Sequence, residues 1–115
     1  ERSSTFVLIT EGTRLLLERR PGSGLWGGLL VPPEGEPTAI LARLGLRLKT
    51  QSNLASLTHR FSHFQLTLQP VWCAVENALT AAEPGHEWID LAHAGAAGVP
   101  TPIKKLIRQV ASVAG

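Results

Sequence analysis

The sequence predicts an α+β fold: a mixed, mostly antiparallel sheet flanked by one short helix and one C-terminal helix. Three observations point there. Two short apolar runs, Thr5–Thr10 (TFVLIT) and Arg14–Glu18 (RLLLE), lie on either side of Glu11-Gly12-Thr13. A longer run in the middle of the chain alternates apolar and polar residues with a period of two, as a half-buried strand does. Near the C-terminus, apolar residues recur at spacings of three and four behind a proline, which is helix periodicity.

The first two runs predict a β-hairpin, with Gly12 supplying the positive φ of a tight turn. Pro21 to Pro33 is rich in Gly and Pro around Leu25-Trp26 and Leu29-Leu30-Val31, a composition that predicts a loop, a short strand and a second loop. Thr38–Leu44 (TAILARL) fits a helix of barely two turns closed by Gly45 at its C′ position. Leu54–Arg60 and Phe64–Val75 predict a second strand pair, its turn near Arg60–His63. In the latter, Phe64, Leu66, Leu68 and Trp72 alternate with Gln65, Thr67 and Gln69. Glu87–Asp90 (EWID) predicts a further strand. Thr101 then offers an N-cap hydroxyl, Pro102 a first helical residue, and Ile103, Leu106, Ile107 and Val110 an apolar stripe. Lys104, Lys105 and Arg108 fall on the opposite face.

Composition bounds what such a chain does. Its 115 residues are 43% hydrophobic and 17% charged, so the chain is globular rather than disordered. A net charge of +2 permits a polyanionic partner without demanding one. The single cysteine, Cys73, cannot form an internal disulfide. Apolar runs are broken by glycine or proline well short of a membrane span, so no membrane association is expected, and no signal-like start appears. The chain has no methionine and begins Glu1-Arg2-Ser3-Ser4. Residues 1–4 are therefore expected to be a linker remnant of a longer protein, and residues 5–115 a single domain.

Two stretches carry a resemblance. Arg19-Arg20-Pro21, Leu25-Trp26-Gly27-Gly28-Leu29 and Pro32-Pro33-Glu34 resemble the early part of a Nudix-type fold, with Gly28 and Glu34 at the spacing that opens a Nudix box. The second stretch runs Leu57-Thr58-His59-Arg60-Phe61-Ser62-His63-Phe64, continues into the alternating strand, and ends at Gly98-Val99-Pro100-Thr101-Pro102-Ile103-Lys104-Lys105-Leu106. Together, over nearly the whole chain, they resemble the C-terminal domain of MutY-type adenine DNA glycosylases. The resemblance implies a Nudix-like sheet with a degenerate short helix. It also implies a separate N-terminal helical domain, with an iron–sulfur cluster and a catalytic carboxylate, that removes adenine mispaired with 8-oxoguanine. The C-terminal domain would read the oxidised guanine. On that footing this chain is expected to bind duplex DNA containing 8-oxoguanine beside the glycosylase domain of its parent. It would act as a non-catalytic monomer with no cofactor of its own, in the nucleoid-associated cytoplasm of a bacterium.

The same resemblance directs attention to Phe61, Ser62 and His63. Guanine presents acceptors N7 and O6 in the major groove; oxidation at C8 turns N7 into a donor and adds a carbonyl. A hydroxyl carries one donor and two acceptor lone pairs, so Ser62 suits both new groups. Phe61 would wedge against bases, and His63 would donate to a base edge or phosphate. Plainer readings stand beside these: turn serines usually bond local backbone, and a histidine at a strand end is usually a surface residue. Phe64 is read as core, and Phe61, of opposite parity, as exposed. Arg60, Lys104, Lys105, Arg108, Arg19 and Arg20 are candidate phosphate contacts or ordinary solvated charges.

A rival reading is a divergent Nudix pyrophosphohydrolase acting on nucleotides. That chemistry needs several glutamates on one helix to hold magnesium. Counted from Gly28 and Glu34, the required Arg-Glu and Glu-Glu positions fall on Ala42-Arg43 and Leu46-Arg47. A further rival is a protein-docking module, which predicts an exposed apolar patch without basic surroundings. His59 and His63 have metal-like spacing, and Cys73 and His86 would complete a set, but no second close ligand pair exists and no metal site is expected. Cys73 sits in the alternating strand and is expected to be inert.

Overall fold

The computed structural model describes residues 2–76 and 84–114. Residue 1 of the expected linker and residue 115 lie outside them. In chain order the elements are β1 (Arg2–Glu11), β2 (Arg14–Arg19), β3 (Leu30–Val31), α1 (Pro37–Leu44), β4 (Arg47–Asn53), β5 (Leu57–Arg60), β6 (Gln65–Glu76), β7 (His86–Asp90), α2 (Leu91–Ala94) and α3 (Thr101–Ala114). One sheet has the order β3-β2-β1-β6-β4, with β5 also pairing β6 and β7 also pairing β2. Strands β1 and β6 run parallel, from Arg2 opposite Leu66 to Thr10 opposite Ala74; the other pairings are antiparallel.

Side-chain alternation divides the core into two layers. Phe6, Leu8, Leu15, Leu17, Leu66 and Leu68 point to one face and pack with Ile103, Leu106, Ile107 and Val110 of α3. Val7, Ile9, Leu16, Val71, Cys73 and Val75 point to the other and pack with Ile40 and Leu41 of α1. The sheet is thus covered on both sides, which is why β1 and β2 contain unbroken apolar runs. Each such buried side chain contributes roughly 1.5–3 kcal/mol relative to exposure. Strand β6 departs from the half-buried expectation for the same reason: paired on both edges, it buries Leu66 and Leu68 on one face and Val71, Cys73 and Val75 on the other. Trp72 reaches across to β1, where its Nε1–H donates to the buried Thr10 hydroxyl at 2.8 Å.

Several expectations are corrected. The predicted linker is strand from Arg2 onward, because Arg2, Ser3 and Ser4 pair with Leu66, Thr67 and Leu68. Strand β4 was invisible to hydrophobic patterning, since six of its seven residues are exposed; its pairing with β6 forms it. Helix α2 also escaped prediction, being one turn whose cap, Asp90, accepts from the Ala92 N–H at 2.9 Å. Thr101 is not the N-cap of α3. The Lys104 N–H bonds the Pro100 carbonyl, so the helix begins one residue earlier and Thr101 lies inside it. Helix α1 starts on Pro37, capped by Glu36, whose carboxylate accepts from the Ala39 and Thr38 N–H groups. It ends, as predicted, on a left-handed Gly45.

Candidate nucleic-acid interface

The turn between β5 and β6 is short and anchored at its base. Arg60 pairs with Gln65 in the ladder, and the Phe61 N–H donates to the Phe64 carbonyl at 2.7 Å. That leaves Ser62 and His63 as the two tip residues, both exposed. Neither has a positive φ, so the tip is not one of the mirror-image turns that two-residue hairpins favour. Among the described residues, neither the Ser62 hydroxyl nor the His63 ring has a hydrogen-bond partner, so Ser62 does not cap its own backbone. Arg60 to Gln65 line a concavity of about 390 Å³. The three residues singled out from the sequence thus share one surface.

Phe61 and Phe64 are both half-buried. The parity argument for an exposed Phe61 lapses because β5 ends at Arg60, and Phe61 folds back across the turn. Its ring stacks on Phe64 at 4.7 Å and 20°, while His59 meets it edge-on at 4.7 Å. The Arg2 guanidinium lies over the other aromatic, 4.8 Å from the Phe64 centroid, a cation–π contact. Trp26 then connects this pair to the interior, with ring centroids 6.1 Å from both Phe61 and Phe6.

Trp26 lies in the Gly- and Pro-rich segment between β2 and β3, and its backbone is unusual. It is the one non-glycine among the described residues with a left-handed φ, +59°, a conformation that costs about 1–3 kcal/mol and persists only where the surroundings impose it. The loop imposes it through a closed set of main-chain bonds. Gly27 N–H donates to the Gly24 carbonyl, Gly28 N–H to those of Arg20 and Pro21, and Leu29 N–H to that of Trp26. The Arg19 guanidinium adds a bond to the Gly28 carbonyl at 2.8 Å.

The candidate phosphate contacts separate into two groups. Arg19 is committed to Gly28 and to Glu87 at 3.4 Å, and Arg20 to Glu34 at 2.5 Å, so both brace the loop. Arg60, Lys105 and Arg108 are exposed and Lys104 is half-buried. None of these four forms an ion pair with a described residue. Helix α3 packs beside β5, which puts its basic residues on an element adjoining the turn.

Acid behaviour follows from Glu34 and Glu36. Burial pushes the Glu34 carboxyl up, but hydrogen bonds from Ser4 and Arg20 and the charges of Arg20 and Arg2 outweigh it, leaving its pKa below the ordinary value. The Ala39 and Thr38 N–H groups lower that of Glu36. Both carboxyls are more acidic folded than unfolded, so their contribution to stability is present above the ordinary value of 4.5. It is lost as pH falls through the lower folded values. Melting temperatures followed from about pH 6 to about pH 3 are expected to fall in that range, and less steeply in Glu34→Gln. An unchanged slope in the variant would remove Glu34 from this account.

Glu34 is ion-paired, Glu36 is used as a helix cap, and helix α1 carries no carboxylate. Cys73 is fully buried and its thiol is pushed up to about 11 by burial, so it is an unreactive core residue.

The family model described as NUDIX domain matches residues 4–109. The human adenine DNA glycosylase is 33% identical over 126 residues, covering 94% of this chain and 23% of that protein. The rat adenine DNA glycosylase is 32% identical over 94% of the chain and 25% of that protein, so the chain spans about a quarter of the length of these relatives. Among solved structures, the C-terminal domain of mouse MUTYH, in complex with human PCNA, superposes with a TM-score of 0.75 at 26% identity, covering 96% of this chain and 88% of that one.

Proposed function

The chain belongs to the NUDIX domain family, and from that premise we propose that it reads 8-oxoguanine opposite adenine in duplex DNA on behalf of an adenine DNA glycosylase. Its likeness to adenine DNA glycosylases at 33% and 32% identity supports the class of parent protein. The observation that carries the site is the tip of the β5–β6 turn, where an unpartnered Ser62 hydroxyl stands exposed on a base tied to the core. Such a hydroxyl accepts from the N7–H that oxidation creates and donates to the new C8 carbonyl. Unmodified guanine lacks that N7 donor, so part of the interaction is lost. His63 beside it donates to a phosphate or base edge. Phe61, held against Phe64, presents an apolar edge to a displaced base rather than a free wedge. Arg60, Lys105 and Arg108 supply sequence-independent attraction to phosphates. Base removal is assigned to the separate glycosylase domain that the family resemblance implies; α1, for its part, lacks the carboxylates that Nudix hydrolysis needs.

The test is a titration of the chain with two short duplexes at low salt, one carrying 8-oxoguanine opposite adenine and the other unmodified guanine. Chemical-shift changes that depend on the lesion are expected to centre on residues 58–64. Ser62→Ala is expected to reduce the preference for the lesion about three- to tenfold, the scale of one net hydrogen bond, with the fold intact. Equal changes on residues 104–108 with both duplexes, and none at the turn, would sink the lesion-reading role. The mouse domain's complex with PCNA favours a second reading, a docking surface for a protein. No shifts with either duplex, alongside binding to PCNA, would point there.

A further inference from the structure

We infer that Trp26 is a positioning residue for the recognition turn: held in a left-handed backbone by the Pro21–Leu29 loop, its ring fixes Phe61 and thereby presets where Ser62 stands. The inference rests on the lesion-reading role proposed above and adds to it a residue some 35 positions away from the turn. Three independent features carry it.

The first is geometric. Phe61 adjoins Ser62 and has contacts on three sides: Phe64 against its face, His59 at its edge, and Trp26 at 6.1 Å. Phe64 and His59 belong to the same hairpin and move with it. Trp26 comes from a different part of the chain and reaches the buried Phe6 on its other side. It therefore ties the hairpin tip to the sheet. The second feature is the strain at Trp26, the one left-handed non-glycine among the described residues. Strain of that kind persists where the surroundings over-determine it, and marks positions whose direction matters. The third is the amount of main chain devoted to it. Arg19, Arg20, Pro21, Gly24 and Gly28 are bonded so that the loop has one shape around this residue. A hydroxyl that distinguishes an N–H from a lone pair needs placement within a fraction of an ångström, and a two-residue tip cannot supply that by itself.

Trp26→Leu keeps an apolar side chain and removes the flat ring, Trp26→Phe restores a ring, and Leu25→Ala removes a neighbouring packing contact of the same loop. Each would be measured for the ratio of its affinities for the 8-oxoguanine and guanine duplexes, for thermal stability, and for amide exchange at Phe61. Trp26→Leu is expected to lower the ratio roughly fivefold, the scale of coupling within one packed network. Its affinity for the unmodified duplex should be unchanged and exchange at Phe61 faster. Trp26→Phe is expected to recover most of the ratio. Leu25→Ala is expected to lose stability with the ratio retained. The inference is overturned if Trp26→Leu keeps the parent ratio while Ser62→Ala loses it, or if Leu25→Ala lowers the ratio as much as Trp26→Leu does. Retention of the ratio by Ser62→Ala as well would instead remove the lesion-reading role itself.

Discussion

Phe6→Ala is expected to lower the free energy of unfolding by about 3–5 kcal/mol, the cost of deleting a fully buried aromatic ring. Phe6 is 1% exposed and sits in β1, a strand paired to β2 and β6. Neighbours on such a strand cannot collapse into the space, so the cavity term adds to the lost transfer energy. The ring also supports Trp26 at 6.1 Å, so the loop beside the β5–β6 turn loses its footing. Denaturation in urea would measure the change, with a lower midpoint and an unchanged slope. Phe6→Leu keeps most of the volume and is expected to cost less than half as much. A loss below about 1 kcal/mol for the alanine variant would mean that Phe6 is not part of a rigid core.

Gly27→Ala is expected to cost about 1–3 kcal/mol, the usual range for forcing an extra methyl into a closed site. A Cβ there would lie 2.7 Å from the Gly22 carbonyl oxygen, 2.8 Å from its carbon and 3.0 Å from the Pro21 oxygen. All three are backbone atoms, which cannot swing aside as a side chain can. The loop has to open, breaking the Gly27–Gly24 bond or those from Gly28 to Arg20 and Pro21. Because Trp26 is the preceding residue, the same opening is expected to move its ring off Phe61. Thermal unfolding gives the first part and the indole fluorescence of the loop the second. Gly22→Ala is the control, since nothing lies within 4 Å of its Cβ. Equal effects of the two substitutions would dismiss the close-approach explanation.

Much of the architecture was legible because strong local signals agreed with tertiary burial. The Glu11-Gly12-Thr13 turn separates β1 from β2 as expected, with Gly12 at a φ of +59°. Helix α1 ends at Gly45 and α3 buries the predicted stripe of Ile103, Leu106, Ile107 and Val110. Strand β4 was not legible, because an exposed edge strand has no apolar face to mark it. Its structure comes from hydrogen bonds to β6, which lie outside its own sequence. Arg2–Ser4 looked like polar linker for the same reason. At the site, the sequence singled out Phe61, Ser62 and His63 through a family resemblance, without the contacts that set their exposure. Trp26 was not legible as a neighbour of the turn, since an aromatic in a glycine-rich loop carries no periodicity and its partners, Phe6 and Phe61, lie far along the chain.

By itself, then, the sequence determined the class of fold, the hairpin, both main helices, the poverty of carboxylates on α1 and the location of the candidate turn. These are properties of spacing and residue type within short windows, where local propensity and burial act together. Tertiary structure alone decided that β1 and β6 lie parallel, and that Arg19 is tied to Gly28 and Glu87 and Arg20 to Glu34. It also decided that Phe61 is clamped between Phe64, His59 and Trp26. The β1–β6 pairing, the Arg19–Glu87 pair and the Trp26–Phe61 contact join residues far apart in sequence, so they form only when the chain closes on itself.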